Sequence, residues 1–150
     1  MQERYDDYMR RRSREEDTRE LKWDNRFMEL AKTISSWSKD PSSKIGAVAV
    51  NDERRILATG YNGFPKGIED SVERLEDRDE KYPRIVHAET NALMNALYSG
   101  VSLKDATIYV HGLPVCPDCT KLIIQSGIRR VVIREATYDT PEKWVDLWNE

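Results

Sequence analysis

Two kinds of apolar spacing alternate along this chain, and their order is what most limits its fold. Trp23, Phe27, Leu30, Ala31 and Ile34 fall at i, i+4, i+7, i+8 and i+11, one stripe of a helix. Ser, Asp and Pro break the pattern over 35–43. Residues 45–50 and 55–60 then read as strands, with Asn51-Asp52-Glu53-Arg54 as a hairpin turn between them. Pro83 precedes a helix over 86–98 that Gly100 closes. A strand over 106–110, a helix over 117–126 ending at Gly127 and a strand over 130–134 follow. Trp144, Leu147 and Trp148 lie on one face of a last helix. The order α-β-β-α-β-α-β-α predicts a layered α/β protein with a mixed sheet.

Composition adds where the core must be and what the chain does not resemble. The 150 residues suit one domain, and 34% of them are charged against a usual ~25%. Residues 1–20 hold 13 of those charges and no Leu, Ile, Val or Phe. They read as a charged extension, a solvated helix or a disordered segment, ahead of a domain over 21–150. Residues 69–81 carry seven acids and three bases, which suggests an acidic surface insertion. The longest run without a charged side chain is 14 residues, over 90–103, whereas a membrane span needs ~20 apolar ones. No basic start followed by an apolar segment marks a secretory signal, so a soluble cytoplasmic protein is expected. A net charge of −3 argues against a nucleic-acid partner.

The chemistry concentrates at two predicted helix starts. His87-Ala88-Glu89 opens one, Cys116-Pro117-Asp118-Cys119 opens the next, and a strand lies between. One imidazole and two sulfurs are three zinc ligands, the number a catalytic zinc takes while keeping a fourth position for water. The positive end of a helix favours both thiolates, and Pro117 suits the first helical position, where its missing N–H is no loss. Glu89, two residues from His87, can reach the metal site without being a ligand, as a proton shuttle must. The free N–H groups at the start of the His87 helix, Ala88's among them, can polarise a substrate carbonyl. Three plainer readings stand beside this one. A closed structural zinc would need a fourth ligand, for which His111 is the candidate. A thioredoxin-like redox pair leaves His-x-Glu unexplained. A non-catalytic zinc domain has no use for Glu89.

The arrangement resembles the cytidine/deoxycytidylate deaminase superfamily, and within it the deoxycytidylate deaminases, over residues 23–133. His87-Ala88-Glu89 and Cys116-Pro117-Asp118-Cys119 carry the superfamily likeness. Ser38-Lys39-Asp40-Pro41, Gly60-Tyr61-Asn62-Gly63-Phe64-Pro65-Lys66-Gly67 and Lys81-Tyr82-Pro83 favour the narrower group. The resemblance implies a three-layer α/β/α fold with a mixed sheet, here lacking the last strand that members usually add. It implies hydrolysis of dCMP to dUMP and ammonia, with one zinc per chain held by His87, Cys116 and Cys119. Water activated by that zinc attacks C4, and Glu89 carries the proton. Asn62 would contact the sugar. The resemblance also implies a homo-oligomer, from dimer to hexamer, and regulation by dCTP and dTTP. Trp37 stands where relatives often have an arginine for the phosphate, so Lys39 and the N–H groups of Ser42 and Ser43 are expected to replace it. Val115 replaces a customary proline beside the metal site. Rival activities are deamination of another cytosine-type nucleotide, nucleoside or modified pyrimidine, or of adenosine in tRNA.

Overall fold

The computed structural model describes residues 2–135. Helix α1 runs over Gln2–Ser35, followed by strands β1 (Gly46–Val50) and β2 (Ile56–Tyr61). Short helices α2 (Val72–Glu76) and α3 (Arg78–Lys81) lead to α4 (Ala88–Ser99). Strand β3 (Thr107–Gly112), helix α5 (Pro117–Gln125) and strand β4 (Arg130–Glu135) complete the described chain. The sheet order is β2-β1-β3-β4: β1 is antiparallel to both neighbours, while β3 and β4 are parallel. A parallel pair needs a crossover, and α5 supplies it.

Strand β1 shows why helices cover both faces. Its sequence Gly-Ala-Val-Ala-Val is buried throughout, and side chains of a strand alternate between faces. Ala47 and Ala49 join Ala88, Ala92, Leu93 and Ile123 of α4 and α5. Val48 and Val50 join Phe27, Met28, Ala31 and Ile34 of α1. The result is the expected three-layer α/β/α arrangement. Two glycines set the spacing between layers. A Cβ on Gly60 would lie 2.5 Å from the Ala88 carbonyl and also strike Ala92 N, so α4 rests almost directly on β2. A Cβ on Gly46 would strike the backbone of α1 at Ala31 and Ser35.

Polar ties fix α1 to the other end of the sheet. Asp24 accepts two bonds from the Arg130 guanidinium, at 2.9 and 2.5 Å, and one from the Tyr109 hydroxyl at 2.6 Å. The guanidinium holds the Asp24 carboxyl below its ordinary value, while burial and then Asp24 push the Tyr109 phenol up.

Three sequence expectations need comment. The charged extension is helical and continuous with the core-facing half of α1, although residues 9–22 are exposed. The acidic insertion forms two short helices, capped by Ser71 and Asp77, which bury Leu75 and Lys81 respectively. The expected helix bearing Trp144, Leu147 and Trp148 lies outside the described residues. No helix among the described residues is long and apolar enough to cross a membrane.

Candidate active site

Both helix starts meet at one end of the sheet. His87 is the N-cap of α4 and Cys116 the N-cap of α5, where its sulfur accepts from the Cys119 N–H at 3.4 Å. His87 Nδ1 lies 3.2 Å from Cys116 Sγ and 3.4 Å from Cys119 Sγ. All three donor atoms fall within 4.8 Å of one another. Tetrahedral zinc bonds nitrogen at ~2.0–2.1 Å and sulfur at ~2.3 Å, which sets adjacent N and S ligands about 3.6 Å apart. The observed spacing fits that ion, and two sulfurs with one imidazole nitrogen form a donor set it favours. Among the described residues the group stops at three donors, the number that leaves a position open. His111, near the C-terminal end of β3, is not in the group and lines a separate groove with Lys32 and Lys44.

Electrostatics at the cluster follow from crowding two sulfurs. Contacts with Cys119 and His87 draw the Cys116 thiol down to about 4. The Cys116 sulfur and burial together push the Cys119 thiol up. His87 is raised by its contact with Cys116. A divalent cation bound by both sulfurs removes the repulsion that holds Cys119 protonated. The Thr90 hydroxyl lies 3.4 Å from Cys119 Sγ and orients it. Glu89 is buried in the first turn of α4, and that burial pushes its carboxyl up to about 7.

A cavity of about 350 Å³ opens beside the cluster, within the ~300–1,000 Å³ range of small-ligand sites. His87, Ala88, Glu89 and Cys116 line one part of its wall, together with Leu113 and Pro114. Asp40, Asn62 and Lys81 line it too, and they form a single network. Asp40 Oδ1 accepts from Lys81 Nζ at 2.8 Å and from the N–H groups of Ser42 and Ser43 at 2.8 and 3.2 Å. Asn62 donates to Ser43 O at 2.8 Å and to Asp40 Oδ2 at 3.3 Å, and accepts from Ile45 N–H at 2.9 Å.

Comparison with known proteins agrees with this geometry. The family model for the cytidine and deoxycytidylate deaminase zinc-binding region matches residues 21–135. The chain belongs to this deaminase family. The deoxycytidylate deaminase of Mus musculus is 41% identical over 128 residues, covering 82% of this chain and 70% of that protein. An uncharacterized deaminase from the luxG 3′ region of Aliivibrio fischeri is 41% identical over 123 residues, covering 82% and 80%. The crystal structure of dCMP deaminase from cyanophage S-TIM5 in complex with dCMP and dUMP superposes with a TM-score of 0.71. It is 32% identical, with 87% of this chain and 90% of that chain covered.

Against the deaminase pattern, His87, Ala88, Glu89, Cys116 and Asn62 come together around the cavity, with Cys119 immediately behind Cys116. Lys39 does not. Its ammonium turns outward to Asp70 at 3.2 Å, and its side chain is 71% exposed. The Ser42 and Ser43 N–H groups are also taken, because Asp40 occupies the turn a phosphate was expected to fill. Trp37 is 59% exposed and meets Tyr61 edge-on, with ring centroids 6.2 Å apart. Sequence reasoning passed over Asp40, Lys81 and Thr90 as site residues. Asp40 and Lys81 stood inside motifs already quoted and Thr90 directly follows one, but only the fold brings Lys81 to Asp40 across 41 positions.

Proposed function

We propose that this chain is a zinc-dependent hydrolase that converts dCMP to dUMP and ammonia. The observation that carries the reading is a buried carboxyl, Glu89, sharing one cavity with a His87-Cys116-Cys119 donor cluster. His87, Cys116 and Cys119 would hold the zinc. When bound, zinc acts as a Lewis acid that brings the pKa of its water towards ~7.

The chain's own residues handle the protons and the substrate. Glu89 accepts a proton from the attacking water and delivers it to N3 of the cytosine. It then takes the remaining proton from the oxygen now on C4 and passes it to the departing amine, so that C4–N is replaced by C4–O and ammonia leaves. Its raised pKa suits a group that must both take and give a proton near neutrality. The Ala88 N–H, at the free start of α4, is available to the base. Asn62 directs its amide hydrogens at Asp40 and Ser43, and its Oδ1 retains a lone pair for a sugar hydroxyl.

Support for the nucleotide comes from the dCMP- and dUMP-bound relative. Support for a homo-oligomer is the outer face of α4, where Met94, Leu97 and Tyr98 are exposed. Two free cysteines suit the reducing cytoplasm. Regulation by dCTP and dTTP is checked by adding each to the assay.

The test is ammonia release from dCMP, deoxycytidine, CMP and dCTP, with zinc content measured on the same protein. We expect dCMP to be preferred. Glu89→Gln should keep its zinc and lose about 10²- to 10⁴-fold in turnover. Near-normal turnover in that variant would refute the mechanism.

A further inference from the structure

A nucleoside monophosphate brings a dianion into the cavity, and something there must meet it. Among the described residues, the side chains lining the cavity include two acids, Asp40 and Glu89, and two basic groups, His87 and Lys81. His87 belongs to the metal cluster. Lys81 is therefore the one cation of the lining free of that cluster, and it is buried at 8% exposure. Its ammonium carries three hydrogens. One is given to Asp40 at 2.8 Å, and no second acceptor among the described residues lies within reach. Two donors remain.

Asp40 does not cancel this cation so much as aim it. Its carboxylate is already shared among Lys81, two backbone N–H groups and the Asn62 amide. That set of four donors disperses the charge of Asp40 and fixes where Lys81 points before any ligand arrives. Low exposure also strengthens what Lys81 can do, because its field is weakly screened by water. Neither of the other candidate donors faces the cavity unengaged. Lys39 is paired outside with Asp70, and the Ser42 and Ser43 N–H groups belong to Asp40.

Building on the dCMP reading, we propose that Lys81 anchors the substrate's 5′-phosphate and that Asp40 acts as its positioning residue. Lys81 thereby sets the preference for a nucleotide over a nucleoside. It supplies a point charge and no bidentate fork, so it recognises the monoester without reading the sugar.

The test uses the zinc-loaded protein and two readouts. The first is the ratio of kcat/KM for dCMP to that for deoxycytidine. The second is calorimetric affinity for dUMP and for deoxyuridine, which needs no turnover. In Lys81→Gln both preferences should fall about tenfold to a hundredfold, through the phosphate-bearing ligand alone. Lys81→Arg, which keeps the charge and the tie to Asp40, should restore most of the preference. Zinc content and Tm confirm that each variant is folded. Equal losses for nucleotide and nucleoside would assign Lys81 a purely structural role and overturn the proposal. Loss of preference in Lys39→Ala with Lys81→Gln unaffected would overturn it as well. Absence of ammonia from dCMP in the wild type would sink the functional reading alone, since the dUMP titration still tests Lys81.

Discussion

At the scale of single residues, two ionic knots do opposite work. Asp40–Lys81 sits in the cavity wall, whereas Asp24–Arg130–Tyr109 ties α1 to β3 and β4 at the other end of the sheet. The second knot carries a pH signature. Hydrogen bonds from Arg130, then from Tyr109, hold the Asp24 carboxyl below its unfolded value near ~3.9. A depressed carboxyl contributes its full stability above the unfolded pKa and loses it as pH falls through the folded one. Asp24→Asn should therefore lower Tm by a few degrees at pH 5–7, from a loss of about 1–3 kcal/mol. The gap to wild type should narrow below pH ~4. A gap that stays constant down to pH 3 in thermal melts would remove Asp24 as the titrating group. Neither knot was legible in the sequence, because their partners stand 41 and 106 positions apart and local spacing carries no trace of such pairs.

At the scale of elements, helix α4 is placed by glycine. Gly60 lets the Ala88–Ala92 turn approach β2, and that same turn carries Glu89 and follows His87. Its neighbour Gly63 has open space where a Cβ would go. Gly60→Ala should cost about 1–3 kcal/mol or more, because the atoms it meets are backbone and cannot rotate away. It should also speed zinc transfer to a chelator. Gly63→Ala should change stability by no more than about 0.5 kcal/mol. Chemical denaturation with a zinc-chelator assay compares the two, and equal effects would refute this role for Gly60. The sequence did reveal that both candidate metal-ligand groups open helices, since Pro83 and Pro117 mark those starts. It did not reveal α2 and α3. Their charges mask two turns whose only buried side chains are Leu75 in α2 and Lys81 in α3, and Ser71 and Asp77 were the caps that could have marked them.

At the scale of the whole molecule, the layers were readable because the helical spacing of apolar residues in α1 contrasts with the short apolar runs of the strands, and Gly100 and Gly127 mark where α4 and α5 end. The extension was less so, since composition alone does not separate a solvated helix from a disordered chain. Residues 9–22 of α1 are exposed, and its core contacts begin at Trp23. We propose that the domain folds without the first 18 residues. A chain starting at Arg19 keeps Glu20, Asp24 and their pairing with Arg130. Its Tm should fall by no more than about 4 °C, with deaminase activity retained. A larger fall, or loss of zinc, would make the extension part of the folded unit.

The cluster at the helix starts has a further meaning in polymer terms. His87 and Cys116 are 29 positions apart, with all of α4 and β3 between them. An ion bound by both closes that stretch into a ring, as a disulfide would, and a covalent ring of this size removes about 3–4 kcal/mol of chain entropy from the unfolded ensemble. Unlike a disulfide, this cross-link survives in a reducing compartment and is undone by a chelator. The same atoms proposed to serve the chemistry would thus make the fold answer to metal supply.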